Sequence, residues 1–247
     1  MSLLFRYAPL GLLVVLLWVL LTKRTYKSTP WFLAYVVFGV VADTARLIVR
    51  LSVPHGSPIY SAAYWITEAG YDLLGILVMY EVVRATTGNL LRGWRGRSVF
   101  PLLVVIGLGL GVARSYAIPS QLGHGPLFYV VIGEIAVRFV QVFVFAGLVT
   151  LVPVLGLRWR QYPFGVATGF GLYATVSLLI NVEYSDFGTR FKLLWAITQI
   201  VAYSLAVLIW IWFFSVPQKS QTPASTLSVP SPGELLDDYK NALRRMR

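Results

Sequence analysis

The chain has 247 residues, of which 57% are hydrophobic and 13% are charged, and its mean hydropathy is +0.71. This composition excludes an ordinary soluble domain and is typical of a protein that crosses a membrane several times. The net charge of +11 would suit a nucleic-acid-binding protein, but the basic residues are spread over alternate connecting segments, so we expect no nucleic-acid partner.

Seven apolar stretches occupy the first 215 residues, and each is long enough to cross the hydrocarbon core as a helix. They cover residues 3–21, 31–51, 60–84, 98–118, 126–155, 162–182 and 191–215. The sequence therefore predicts an all-α fold, with residues 1–215 forming one seven-helix transmembrane bundle. The lipid bilayer is its first expected partner.

Basic residues follow the first, third, fifth and seventh stretches, whereas the alternate loops are neutral or mixed in charge. They are Lys23, Arg24, Lys27, Arg84, Arg92, Arg95, Arg97, Arg158, Arg160, Lys219, Lys240, Arg244, Arg245 and Arg247. Because basic loops stay in the cytoplasm, the amino terminus is predicted outside and the carboxyl terminus inside. We expect a multi-pass protein of a cell membrane, namely the bacterial inner membrane.

Tryptophan and glycine residues predict how these helices sit and pack. Trp31, Trp94, Trp159, Trp210 and Trp212 fall near the predicted inner boundary, where the indole ring usually anchors a helix at headgroup level. The fourth and sixth stretches each contain a G-x-x-x-G pair, which lets helix backbones approach closely. Packing within one bundle is favoured over dimerisation through these glycines, which are Gly107, Gly111, Gly165 and Gly169.

The composition changes after the seventh stretch. Residues 216–230 are rich in Pro, Ser, Thr and Gln and are predicted to be a flexible cytoplasmic linker. Residues 231–247 begin with the capping box Ser231-Pro232-Gly233-Glu234 and continue with apolar residues at helical spacing. This segment is predicted to be a short amphipathic helix that docks on the membrane surface, or alternatively on the helix bundle or on a protein partner.

Charged side chains recur at helical spacing inside the second, third and fifth stretches, where each set forms one stripe on its helix. A charge facing lipid at mid-bilayer costs at least about 2.5–3.5 kcal/mol, so these side chains must face the interior and pair there. At about 1.5 Å per residue, Glu68, Asp72, Glu134 and Arg138 lie roughly 12–18 Å below the predicted outer surface, and Asp43 lies roughly 18 Å from the inner end of its stretch. The eight ionisable residues in or at the edge of the bilayer are Asp43, Arg46, Arg50, Glu68, Asp72, Arg114, Glu134 and Arg138.

Two interpretations of these residues remain open. They could be structural ion pairs that fix the register of the helices, with four acids balancing four bases. They could instead line a pocket, open to the outside, that binds a small polar or zwitterionic ligand. The candidate pocket residues are Asp43, Arg46, Glu68, Asp72, Arg114, Glu134, Arg138, Gln141 and Gln199. Glu81 and Arg84 are predicted to form a separate ion pair at the inner interface.

The residue census favours a protein without catalytic residues, metal or cofactor. Cysteine is absent, and the two histidines, His55 and His124, fall in predicted outer loops. Histidine ligands for haem or zinc, and a Ser–His pair, therefore cannot be assembled inside the membrane. Lys192 lies at the outer mouth of the seventh stretch and not midway along it, where retinal proteins carry their Schiff-base lysine.

Three segments carry a likeness to known sequences: Tyr64-Trp65-x-x-Glu68, Glu134-x-x-x-Arg138-x-x-Gln141, and Trp159-Arg160-x-x-Pro163-Phe164-Gly165. With these segments the chain resembles a group of bacterial seven-span proteins of unassigned function. The resemblance covers most of the membrane region and implies only the fold.

Three functions are consistent with this sequence. The first is a non-enzymatic, sensor- or receptor-like membrane protein that binds a small polar ligand from the outer side and reports through its cytoplasmic loops and tail helix. The second is an accessory subunit of a membrane complex. The third is a transporter or lipid-modifying enzyme that uses the intramembrane carboxylates.

Overall fold

The computed structural model describes residues 3–53, 57–87, 94–116, 126–154, 161–187 and 191–216. The helices in these ranges are α1 (Leu3–Thr22), α2 (Pro30–Ser52), α3 (Pro58–Thr87), α4 (Trp94–Tyr116), α5 (Pro126–Val154), α6 (Gln161–Phe187) and α7 (Lys192–Ser215), with a 3-10 turn at Thr25–Lys27. The predicted all-α fold is confirmed, and each helix coincides with one apolar stretch. The linker and tail helix predicted after residue 216 lie outside the described residues.

Six of these helices form a closed ring. Following the ring, α1 packs on α2, α2 on α3, α3 on α5, α5 on α6, α6 on α7, and α7 returns to α1. Helix α3 also contacts α6 across the ring, whereas the one extensive contact of α4 is with α5. Helix α4 is therefore peripheral.

The helices indicate a membrane protein. Within the described ranges, four segments are long and apolar enough to span a bilayer: Pro30–Ser52, Ile132–Thr150, Tyr162–Ile180 and Leu193–Ser215. Helices α1 and α4 contribute shorter apolar segments, Tyr7–Thr22 and Phe100–Arg114. Helix α3 is absent from this set, and its sequence carries several acidic residues and an arginine.

The distribution of polarity also fits a bilayer. Large apolar side chains such as Trp18, Ile66 and Trp212 are 66–72% exposed, while Arg138 is only 4% exposed and Gln141 only 1%. In water, so much exposed apolar surface would promote aggregation. Next to lipid the exposed apolar surface has no free-energy cost. The charged groups are then the ones that must be buried inside the protein.

An aromatic core fills the end of the ring opposite the start of α1. Trp210 is 1% exposed there, with its ring centroid 5.2 Å from Phe32 and 5.0 Å from Phe170, and its Nε1–H donates to the carbonyl oxygen of Val166 at 3.3 Å. The prediction that Trp210 anchors α7 at headgroup level is therefore wrong. Trp210 lies one helical turn from the buried Phe214, so it shares the inward face of α7.

The glycines of α4 lie against the backbone of α5. A Cβ added at Gly107 would lie 2.8 Å from the Cα and 2.9 Å from the backbone nitrogen of Val140, whereas a Cβ at Gly109 would meet nothing within 4 Å. In α6, a Cβ at Gly169 would collide with the buried ring of Trp210. These G-x-x-x-G glycines therefore serve contacts within one chain, as the sequence favoured.

Replacing Gly107 with alanine should separate α4 from α5, because backbone atoms cannot move aside as a flexible side chain can. We expect Gly107→Ala to lower the free energy of unfolding by about 1–3 kcal/mol. Gly109→Ala is the matched control and should cost nothing, since alanine also favours a helix. Thermal unfolding of the purified protein in detergent measures both variants, and equal losses would contradict this packing.

Helix α2 is capped by a carboxylate from α3. The Glu81 side chain accepts hydrogen bonds from the backbone N–H of Phe32 at 3.0 Å and of Trp31 at 3.3 Å, whereas the N-cap residue Thr29 makes no side-chain cap bond. The predicted ion pair between Glu81 and Arg84 does not form, because the exposed N–H groups and positive dipole of α2 take the carboxylate instead.

Removal of this cap should weaken the contact between α2 and α3. We expect Glu81→Ala to destabilise the protein by about 1 kcal/mol, the usual cost of losing a helix cap. Arg84→Ala should change stability much less, since its side chain is exposed. Thermal unfolding scans compare the two variants, and equal effects would instead support the ion pair.

Candidate ligand-binding cavity

A cavity of about 780 Å³ lies inside the ring, at the end where α1, α3 and α7 begin and α2 ends. Each of the six ring helices contributes to its lining, and α4 does not. The charged residues in the lining are Asp43, Arg46, Glu68 and Arg138, and Gln199 adds an amide. A volume of this order accommodates a small molecule.

Arg46 on α2 is held entirely by protein groups. Its Nη1 lies 3.1 Å from Oε1 of Glu68 and 3.8 Å from Oδ1 of Asp43, one helical turn earlier. Its Nε donates to Oγ1 of Thr67 at 2.6 Å, and its Nη2 donates to the carbonyl oxygen of Tyr64 at 3.2 Å. The guanidinium carbon also lies 4.7 Å from the centre of the Tyr64 ring. Arg46 therefore fastens α2 to α3.

Arg138 on α5 forms a second cluster with longer contacts. Its Nη2 lies 3.9 Å from Oδ1 of Asp72 and 3.8 Å from Oε1 of Glu134, and its Nη1 donates to Oε1 of Gln141 at 3.2 Å. The Arg138 Nε and the Asp72 Oδ1 are buried and have no hydrogen-bond partner among the described residues. The guanidinium carbon lies 4.8 Å from the centre of the Tyr173 ring.

The two clusters contain more acid than base. Each arginine has two carboxylates within 4 Å, so four acids share two bases. The sequence predicted four of each. The difference arises because neither Arg50 nor Arg114 forms an ion pair with a described residue. For Arg114 the fold gives the reason, since α4 lies outside the ring.

The nine candidate residues fall into three groups. Five of them line the cavity: Asp43, Arg46, Glu68, Arg138 and Gln199. Asp72, Glu134 and Gln141 contact Arg138 but are not part of the lining. Arg114 belongs to neither cluster. Among the described residues, no group of three or more acidic or histidine side chains has the arrangement of a metal site.

Tyrosine is the main part of the site that the sequence analysis missed. Seven tyrosines line the cavity: Tyr7, Tyr35, Tyr60, Tyr64, Tyr71, Tyr173 and Tyr203. On α3 the sequence spacing could have identified them, because Tyr60, Tyr64 and Tyr71 lie on the same helical stripe as Glu68. The others come from separate helices, so only the ring arrangement brings them together.

The cavity has two chemically different walls. All four charged lining residues come from α2, α3 and α5, whereas the aliphatic ones come from α1 and α7. These aliphatic residues are Pro9, Leu10, Leu193, Ala196 and Ile200. Gln199 on α7 donates from its Nε2 to the hydroxyl oxygen of Tyr173 on α6 at 3.3 Å. A molecule in this space would meet charge on one side and hydrocarbon on the other.

Comparison of the chain with protein-family models, with curated proteins and with solved structures finds no match.

Loss of the Arg138 side chain should leave two carboxylates without a cation inside the ring. We expect Arg138→Met to destabilise the protein by about 3–5 kcal/mol, as is usual when one partner of a buried pair is removed. Arg114→Met is the control, and it should change stability by about 0.5 kcal/mol or less. Thermal unfolding in detergent measures both, and a larger loss for Arg114→Met would contradict the ring arrangement.

Proposed function

We propose that this chain is a sensor- or receptor-like membrane protein with seven spans, in which the ring of six helices holds an outward-facing pocket for a small polar ligand. Seven spans cross a cell membrane, taken to be the bacterial inner membrane, with the amino terminus outside and the carboxyl terminus in the cytoplasm. The cytoplasmic loops, the linker at 216–230 and the helix at 231–247 transmit the bound state to a partner.

The cavity is the observation that carries this proposal. Structural ion pairs alone would require no space between the helices, and a well-packed protein interior contains few voids. Here about 780 Å³ adjoins Arg46, Glu68 and Arg138, and polar groups converge on it from several helices. A large pocket with a few convergent polar groups is the usual form of a binding site.

Seven crossings are supported by the placement of charge. The acidic residues that set α3 apart from the four clearly apolar helices, Glu68 and Asp72, lie against arginines of neighbouring ring helices. Pairing with arginine reduces the free-energy cost of placing these carboxylates in a bilayer. Helix α3, with 30 residues, is also long enough to cross the bilayer. The described basic residues after α1 and in the last turn of α3, which are Lys23, Arg24, Lys27 and Arg84, then lie on the side opposite the cavity.

The absence of cysteine makes the topology directly testable, because single cysteines can be placed in an unreactive background. In intact cells, a membrane-impermeant maleimide should label Ser57→Cys and Ser120→Cys. It should label Asn89→Cys and Lys219→Cys only after permeabilisation. The unmodified chain controls for background. If α3 and α4 do not cross, positions 57, 89 and 120 will all label alike.

Binding is tested by thermal unfolding of the full chain in nanodiscs against a library of polar metabolites. At 100 times its Kd a ligand stabilises the folded state by about 2.7 kcal/mol, which raises the Tm of a chain this size by roughly 5–10 °C. The rise should shrink in Gln199→Ala, which alters the lining. It should persist in Thr198→Ala, whose hydroxyl bonds only within α7. If no compound raises the Tm, the proposed function fails.

One observation favours the alternative of an accessory subunit with purely structural charges: every nitrogen of the Arg46 guanidinium already has a protein partner. Native purification distinguishes the two functions. A stoichiometric membrane partner that is lost when residues 231–247 are deleted, together with no ligand response, would support the accessory role.

A further inference from the structure

We propose that the ligand of this cavity is an organic cation, either an amine or a quaternary ammonium compound, that carries an apolar portion. This inference rests on the proposed function, since it specifies the chemistry of the molecule that the pocket binds.

The charge of the site is the first reason. Among the described side chains, Asp43 and Glu68 surround Arg46, while Asp72 and Glu134 surround Arg138. The two clusters together hold two more carboxyl groups than guanidinium groups. In a low-dielectric interior an uncompensated carboxylate is strongly unfavourable, so the surplus acids take up positive charge, as protons when the cavity is empty or as an organic cation when one binds.

An anionic ligand fits these clusters poorly. The charge of Arg138 is already opposed by Asp72 and Glu134, neither of which lines the cavity, so both remain in place when a ligand enters. Each guanidinium nitrogen of Arg46 already has a protein oxygen within 3.2 Å. An incoming carboxylate or phosphate would therefore be a third negative group beside either arginine. A cation would instead restore the balance.

The aromatic lining is the second reason, and it is independent of the charge count. Cations bind the faces of aromatic rings, and the two arginines already do so on Tyr64 and Tyr173 at 4.7 and 4.8 Å. Tyr7 and Tyr60 also line the cavity, and neither ring makes a ring–ring or cation contact with a described residue. Aromatic rings beside carboxylates are how proteins commonly recognise ammonium groups.

The aliphatic wall formed by α1 and α7 gives the shape of the ligand. Leu10, Leu193 and Ile200 face the same space as Glu68 and Asp43. A cation with a hydrocarbon portion would place its charge near the carboxylates and its apolar part against this wall, burying both favourably.

The test uses pairs of compounds that differ only in charge. A size-graded panel of primary amines and quaternary ammonium compounds, beginning with choline, is titrated into the full chain in nanodiscs. Each is matched with its neutral carbon isostere, which for choline is 3,3-dimethylbutan-1-ol. Binding is measured by calorimetry and by the shift in Tm. We expect at least one cation to bind and its isostere to bind at least tenfold more weakly.

Two variants locate the cation in the cavity. Tyr60→Leu removes a ring face and should weaken binding by about 3- to 30-fold, whereas Tyr60→Phe keeps the ring and should bind almost as the unmodified chain does. Because neither variant alters an ion pair, misfolding is not expected, and the unliganded Tm reports it directly. Equal weakening by both variants would contradict recognition by the ring face.

The outcomes separate this inference from the proposed function. If neutral, anionic or zwitterionic compounds raise the Tm in a manner sensitive to Gln199→Ala while every cation fails, the inference is overturned and the pocket remains. If cation and isostere bind equally, charge recognition is also overturned. If no compound of any class binds, both the inference and the proposed function fail.

Discussion

The pairing of two arginines with four carboxylates is the constraint on which the rest of the structure depends. Helix α3 carries one acid for each arginine, Glu68 for Arg46 on α2 and Asp72 for Arg138 on α5, one helical turn apart. Rotating or sliding α3 would break both contacts and leave charges unpaired in a low-dielectric interior. Because removing one partner of a buried ion pair costs about 3–5 kcal/mol, these pairs fix the register of three neighbouring helices.

The two ends of the six-helix ring differ in what fills them. At one end the helices meet through large rings, with Phe32 and Phe170 each 5.0–5.2 Å from Trp210 between centroids. At the other end lie the cavity and the two arginine clusters beside it. Tyr35 lies at the boundary, because its ring contacts Phe170 and Trp210 while also lining the cavity. The core therefore provides stability and the charged end provides a place for a ligand.

Much of this arrangement could be predicted from the sequence. Length and apolar composition located all seven helices, since a bilayer-length run of apolar residues has few other solutions. Helical spacing placed Asp43 on the same stripe as Arg46, and Glu134 on the same stripe as Arg138, and both pairs lie within 4 Å, because the cost of a charge in lipid favours inward-facing pairs.

The parts that could not be predicted depend on which helices are neighbours. Spacing along one helix does not reveal that α4 lies outside the ring, so Arg114 was grouped with residues it does not meet. For the same reason the sequence does not reveal that four carboxyl groups share only two arginines. It also does not reveal that Trp210 lies in the core and not at the headgroups. The tyrosines were overlooked because a ring with a hydroxyl is equally common in a core, at an interface and in a pocket.

The contact between α1 and α7 joins the first helix of the ring to the last, and these two supply the aliphatic wall. Helices α2 and α3 are consecutive in the chain, so Arg46 can pair with Glu68 within one helical hairpin, whereas Asp72 pairs with Arg138 only when α5 is also in place. The lining of the cavity is complete only when α7 has packed against α1. A chain truncated before α7 would keep both arginine clusters and still have no site.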